Sequence, residues 1–235
     1  LAVFPAAWLQ SVLPSELRCG TLAGSLWRGH CSGLTFTARG TAPLRLDSLH
    51  WTLRPLALLR GRVQADVSLA GTDVSADGSI TLQSGGRVRI EGLSATGGLD
   101  HARLAAFPAG WNARAETREL TLQIAGGRIA ALGGVLLVSQ LRDARGTGFG
   151  DFKLQFAQQQ APPFRGALTD QGGPMQLSAE LLLNADQSWQ LQGTVVLRPG
   201  SPPGLASALD QLATADLDGR RSFRLEGAAR EPGLR

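Results

Sequence analysis

Cys19 and Cys31 are the two cysteines of the chain, and they bracket the run Gly20-Thr-Leu-Ala-Gly-Ser-Leu-Trp-Arg-Gly29. They lie symmetrically about Ser25. A hairpin turning at Gly24-Ser25-Leu26 would set them on facing residues of adjacent strands, within reach of a disulfide. Such a bond would add about 2–3 kcal/mol by restricting the unfolded chain, and it persists outside the cytosol. The same two positions also fit a pair of buried free thiols that never meet. Metal binding is the weakest reading, because His30 beside Cys31 cannot complete a tetrahedral set and no third cysteine exists.

Other chemistry is sparse. His30, His50 and His101 have no second histidine at metal spacing, and neither a Gly-x-Ser-x-Gly elbow nor a Walker-type loop is present. Gly146-Thr-Gly-Phe-Gly150 lacks the spacing and the strand-to-helix context of a dinucleotide loop, and it fits a turn before a strand at Phe152. Asp170 could meet Glu180 or Asp186, but all three fall at turns or on polar strand faces, where pairing with arginine is the ordinary outcome. Trp27, Trp51, Trp111 and Trp189 suit a β core better than a stacking platform. These residues predict no enzyme, no cofactor, no catalytic set and no metal site.

The elements that would position them come from alternation. Leu34, Phe36 and Ala38 alternate with Thr35, Thr37 and Arg39, and Val63, Ala65, Val67 and Leu69 alternate with polar neighbours. The pattern returns at Ile80–Leu82, Val88–Ile90, Leu120–Ile124, Phe152–Phe156, Met175–Ala179, Trp189–Gly193 and Phe223–Leu225. Period-two patterning of this kind marks half-buried strands. Asp77-Gly78, Gly85-Gly86, Gly126-Gly127, Gly172-Gly173-Pro174 and Asp218-Gly219 are the expected reversals. Helical pattern is confined to Pro5–Ser11, Pro55–Leu59, Leu99–Phe107 and Gly204–Ala213, of which the last two are expected to plug or cap the sheet. The fold class expected is all-β and mainly antiparallel: a curved, strongly twisted meander, as a half-barrel or flattened sandwich, with two or three short helices. Its predicted core is Leu34, Phe36, Val67, Leu69, Ile80, Leu82, Leu122, Ile124, Phe152, Leu154, Leu177, Leu191 and Val195.

At 235 residues and 43% hydrophobic content the chain can bury a real core. Its net charge is only +4, Lys153 is its one lysine, and the arginines are dispersed, which argues against nucleic acid as a partner. No stretch of about twenty apolar residues could span a bilayer. The opening Leu-Ala-Val-Phe-Pro-Ala-Ala-Trp-Leu fits either an amphipathic segment packed on the body or the outer end of a membrane helix, with Trp8 near the interface. The expected organisation is a membrane-proximal segment over 1–12, one β domain over 13–229, and a frayed tail over 230–235.

Gly20-Thr-Leu…Leu26-Trp-Arg-Gly29, followed by Leu49-x-Trp-x-Leu-Arg-Pro-Leu-x-Leu-Leu-x-Gly61, closely resembles the type II secretion system protein N family. Gly126-Gly, Gly133-Gly, Leu168-Thr-Asp-x-Gly-Gly-Pro-Met-x-Leu and Trp189-x-Leu-x-Gly-Thr-Val-Val-Leu-Arg-Pro199 follow in the same order, so the likeness covers about Ala7 to Gly227. The cysteine pair and Asp186-Gln187 depart from the family pattern. The resemblance implies an accessory, non-enzymatic secretion component: a single-pass inner-membrane protein with a periplasmic body, whose partners are other secretion subunits. It brings no site residues. A looser likeness to AsmA-like envelope proteins implies an oily groove, and with it the alternative of a lipid- or hydrophobe-binding module.

Overall fold

Alternating apolar and polar residues give an extended chain one oily face, and the simplest way to pair many such segments in sequence is the hairpin meander. The computed structural model describes residues 4–6, 17–37, 44–100, 108–186, 188–210 and 215–228. It contains a single antiparallel sheet of thirteen strands in sequence order, open at both edges. The strands are β1 (Leu17–Gly24), β2 (Arg28–Phe36), β3 (Leu44–Leu53), β4 (Arg62–Ala70), β5 (Val74–Gln83), β6 (Arg87–Asp100), β7 (Asn112–Ala125), β8 (Arg128–Arg142), β9 (Gly148–Gln159), β10 (Phe164–Asp170), β11 (Met175–Leu183), β12 (Ser188–Leu197) and β13 (Arg220–Ala228). Helix α1 (Pro55–Leu58) sits between β3 and β4, and α2 (Pro203–Asp210) between β12 and β13.

Two patches of the sheet are sealed. At the first, Ala6, Cys31, Leu34, Leu46 and Trp51 are buried together, with the Trp51 indole N–H donating to the Leu26 carbonyl at 3.1 Å. At the second, α2 lays Leu205 and Leu209 on Phe149, Phe152, Met175 and Val195. Its far end is tied down by Arg221, which donates twice to Asp210 Oδ1, at 3.0 and 2.7 Å. Between them the sheet is one layer thick, because packing runs almost wholly between neighbouring strands. The chain accordingly exposes 14634 Å², against roughly 10,000 Å² for a compact monomer of this mass.

Register shifts are concentrated in the middle, between β5 and β9. Bulges add twist and bend a strand. Glu119 and Gln140 take positive φ of 52° and 56° at two of these shifts, where the extra residue must leave the ladder. At Gly134, φ is +124° and a Cβ would stand 2.6 Å from the Leu120 Cα, so only glycine admits the close approach of β8 to β7.

Several expectations need correction. Asp77-Gly78 is no reversal; it lies inside β5, and the turn comes after Ala70. Asp218-Gly219 leads from α2 into β13 and joins no hairpin. Leu99 and Asp100 extend β6 instead of starting a helix, and 101–107 lie outside the described residues. Of the predicted core, Leu34, Phe152 and Val195 are buried, whereas Phe36 and Leu82 are 39% and 46% exposed. The rest are half-buried, because a one-layer sheet offers nothing to pack on from above. Trp8, His101, the rest of the first helical piece, residues 211–214 and the tail also lie outside the described residues.

The first hairpin differs in register from the sequence reading. Its pairing axis falls between Leu26 and Trp27, so Cys19 opposes Leu34, and Cys31 opposes Leu22. Gly33, at φ +67°, interrupts the alternation and leaves both Cys31 and Leu34 buried. The cysteines therefore lie diagonally on one face, with Cα atoms 5.8 Å apart and their sulfurs bonded. Replacing both by serine is predicted to cost about 2–3 kcal/mol, read by urea denaturation, and neither thiol should react with an alkylating agent before reduction. Alkylation of the folded, unreduced protein would refute the pairing.

Candidate functional site

The sheet carries one row of directly opposed residues through every strand: Leu22, Cys31, Leu49, Leu69, Ala76, Ala95, Thr117, Leu136, Leu154, Leu168, Ala179, Gly193 and Phe223. Only Thr117 is polar. Its hydroxyl is engaged, accepting from the Ala95 N–H at 3.0 Å. The adjacent positions form the opposite face: Thr21, Ser32, Ser48, Ala70, Ser75, Thr96, Glu116, Leu137, Lys153, Thr169, Ser178, Thr194 and Ser222. Bulges interrupt the ladder yet leave the two faces in phase, so the sheet is oily on one side and hydroxyl-rich on the other.

The oily face is covered at its ends and bare in its middle. From Arg62 to Ala125, Thr81 alone among the described residues is buried, and Thr81 opposes Gln64 and Arg89 on the polar side. Val67, Leu69, Ile80, Ile90, Leu122 and Ile124 are half-buried, each screened by its lateral neighbours. Val63, Leu82 and Val88 oppose one another where this face reaches the turns beside α1, and Val63 and Leu82 are 39% and 46% exposed there. The arrangement is an apolar strip bounded by the Ala6 patch and by α2. It can hold a hydrophobic body but offers no nucleophile.

The polar face holds a hollow of about 520 Å³ lined by Arg114, Glu116, Arg118, Asp151 and Lys153 among others. Three basic groups face two carboxylates there, and Arg118 pairs with Glu116. The hydrogen bond from Arg118 holds the Glu116 carboxyl below the usual carboxylate range. Asp151 accepts the Gln140 N–H at 2.8 Å. No histidine, cysteine or serine base–nucleophile pair converges there.

The candidate carboxylates do not meet. Glu180 pairs with Arg165 at 3.0 Å, and Asp186 accepts from the Ser188 hydroxyl and N–H. Asp170 sits at the α2 end of β10 and receives Arg198 at 2.6 Å, the Leu177 N–H at 2.9 Å and the Gly172 N–H at 3.2 Å. Thus the Asp-x-Gly-Gly-Pro block is a structural clamp joining β10, β11 and the chain after β12. His30 and His50 stack across β2 and β3, with ring centroids 5.7 Å apart. Among the described residues no group of three metal-ligating side chains forms. Trp51 is buried, and Trp111 stacks on Phe149 at 4.9 Å. The Asp170–Arg198 contact and the histidine stack escaped the sequence reading, since cross-strand partners follow from register.

Burial drives the Asp170 carboxyl upward, but the hydrogen bonds from Arg198, Leu177 and Gly172 outweigh it, and the net shift is downward. A carboxyl depressed on folding stabilises above its unfolded value, near 3.9, and that contribution disappears as pH falls through the folded value. Asp170→Asn is therefore predicted to lose about 1–3 kcal/mol at neutral pH and to show a weaker loss of stability than the parent on acidification below about pH 4. Thermal melts across pH check both, and equal acid slopes would contradict the assignment.

The family model of type II secretion system (T2SS), protein N, matches residues 15–224. No curated protein matches the chain, and no solved structure matches it.

Proposed function

We propose, from the premise that this chain belongs to the type II secretion system protein N family and is a component of that system, that it works without catalysis, as a scaffold for other subunits. In this reading it is the periplasmic body of a protein anchored in the inner membrane. The observation that carries the scaffold role is the open sheet: β1 and β13 each pair on one side only. An unpaired strand edge is a template for adding a strand from a partner chain, with backbone hydrogen bonds giving affinity. β1 is partly guarded, since Pro5 bridges to Ser25 at its turn. β13 runs nine residues and ends the sheet. The stacked His30 and His50 and the hydrogen-bonded carboxylates Asp170, Glu180 and Asp186 suggest no group poised to move a proton or attack a bond. Photo-crosslinkers at Arg224 and Glu226 of β13, and at Arg18 of β1, are expected to capture secretion subunits in cells. Absence of any such adduct from both edges would defeat this mode of contact.

A second reading, a lipid- or hydrophobe-binding strip, is favoured by one observation, the apolar row, interrupted at Thr117 alone, whose central residues are only half-buried. Leaving such a strip in water is costly, at about 25 cal/mol per Å² of apolar surface, and a bound acyl chain would relieve it. Native mass spectrometry after gentle extraction is expected to find lipid bound to the parent protein and less on Ile80→Asp. A lipid-free parent that also ignores a fluorescent fatty acid would remove this reading.

A further inference from the structure

We infer that the end of the sheet carrying α1 docks on an anionic phospholipid bilayer. In a meander, alternate turns lie at one end, and here four of them are residues 24–28, 54–62, 84–87 and 126–128. These four hold Arg28, Arg54, Arg60, Arg62, Arg87 and Arg128 and no carboxylate, while Asp186, within electrostatic reach of Arg128, lies in the β11–β12 turn at the same end. The turns at the opposite end are mixed, with Asp73, Asp143, Asp216 and Asp218 beside Arg145 and Arg198. Arg54 is tied to Asp66 at 2.9 Å. Arg28, Arg60, Arg62 and Arg87 are exposed and form no ion pair among the described residues. With neighbouring strands about 4.8 Å apart, the arginines from β2 to β8 form a strip roughly 30 Å long.

Exposed apolar side chains cluster at this end, while Leu217 and Phe36 are the large exposed ones at the other. Within the Leu-Arg-Pro-Leu-x-Leu-Leu-x-Gly block, Leu56, Leu58 and Leu59 are 76%, 44% and 84% exposed. Leu53, by contrast, packs with the sealed patch around Trp51. Phe4 stands at this end too, its carbonyl accepting from the Leu26 N–H at 2.9 Å, and it is 40% exposed. Leucines protruding among arginines suit an interface where apolar groups enter the acyl boundary and guanidinium groups hold phosphates. A soluble acidic protein would match the arginines but give the leucines no apolar phase. This inference adds an orientation to the reading above and depends neither on the sheet edges nor on the strip holding lipid.

Vesicle flotation tests it, using phosphatidylcholine alone and phosphatidylcholine with phosphatidylglycerol. The protein is expected to float with the anionic vesicles only, and less so as salt rises. Arg60→Gln, Arg62→Gln and Arg87→Gln together should weaken partitioning by at least about tenfold, since each basic residue near an anionic surface contributes about 1 kcal/mol. Leu56→Ser, Leu58→Ser and Leu59→Ser together should weaken it comparably, whereas Arg142→Gln with Arg145→Gln, at the opposite end, should not. All are exposed positions, and the circular dichroism of each variant verifies its sheet. Equal binding to both vesicle types, no binding to either, or the same loss from the opposite-end pair would overturn the inference, while edge crosslinks to secretion subunits would be unaffected.

Discussion

Antiparallel pairing forces directly opposed residues onto the same side of a sheet, and a slip of one residue would invert every side chain of a strand. In this protein that constraint passes from neighbour to neighbour across thirteen strands, from Leu22 to Phe223, with no second sheet among the described residues to correct an error. Segregation of oily and hydroxyl-bearing faces is therefore a property of the register itself. The fold depends on that register before it depends on any core contact.

A sheet this wide must also bend, and the bending is built into its centre. Gly134, Gly92, Glu119 and Gln140 take left-handed backbone conformations among β6, β7 and β8, where the ladder shifts. Each departure adds a residue to one strand but returns the alternation to phase, which is how Leu93 and Leu120 still oppose each other. Among the described residues, closure comes at the flanks. The disulfide, Ala6 and Trp51 seal one, while α2, held by Arg221 and Asp210, seals the other.

The motifs of the protein N family acquire distinct physical meanings in this frame. The Trp51 end of the first block builds core, and its leucine-rich turn faces outward. The Asp-x-Gly-Gly-Pro block clamps β10, β11 and the chain after β12 by supplying Asp170 to Arg198, Leu177 and Gly172. Among the described residues, neither block brings a histidine or cysteine to its carboxylates. Apart from these blocks, the described surface has two strand edges, a half-buried apolar strip and an arginine-rich end.

Alternation alone determined that this chain is strand after strand, and glycine pairs at 85–86, 126–127 and 172–173 located three true reversals. The block from Leu49 to Gly61 and its successors were enough to indicate the family. Register was not legible, because pairing is settled by contacts between segments: Ser25 looked like the centre of the first hairpin, yet Gly33 and the turn at Leu26 and Trp27 set it elsewhere. Gly78 looked like a turn and proved to be a strand interior beside a bulge, since a glycine's freedom serves both uses. Burial was the least legible of all. Phe36 and Leu82 have the pattern of core residues, but whether an oily face is covered depends on a second layer, and only the tertiary structure decided that among the described residues most of this sheet has none.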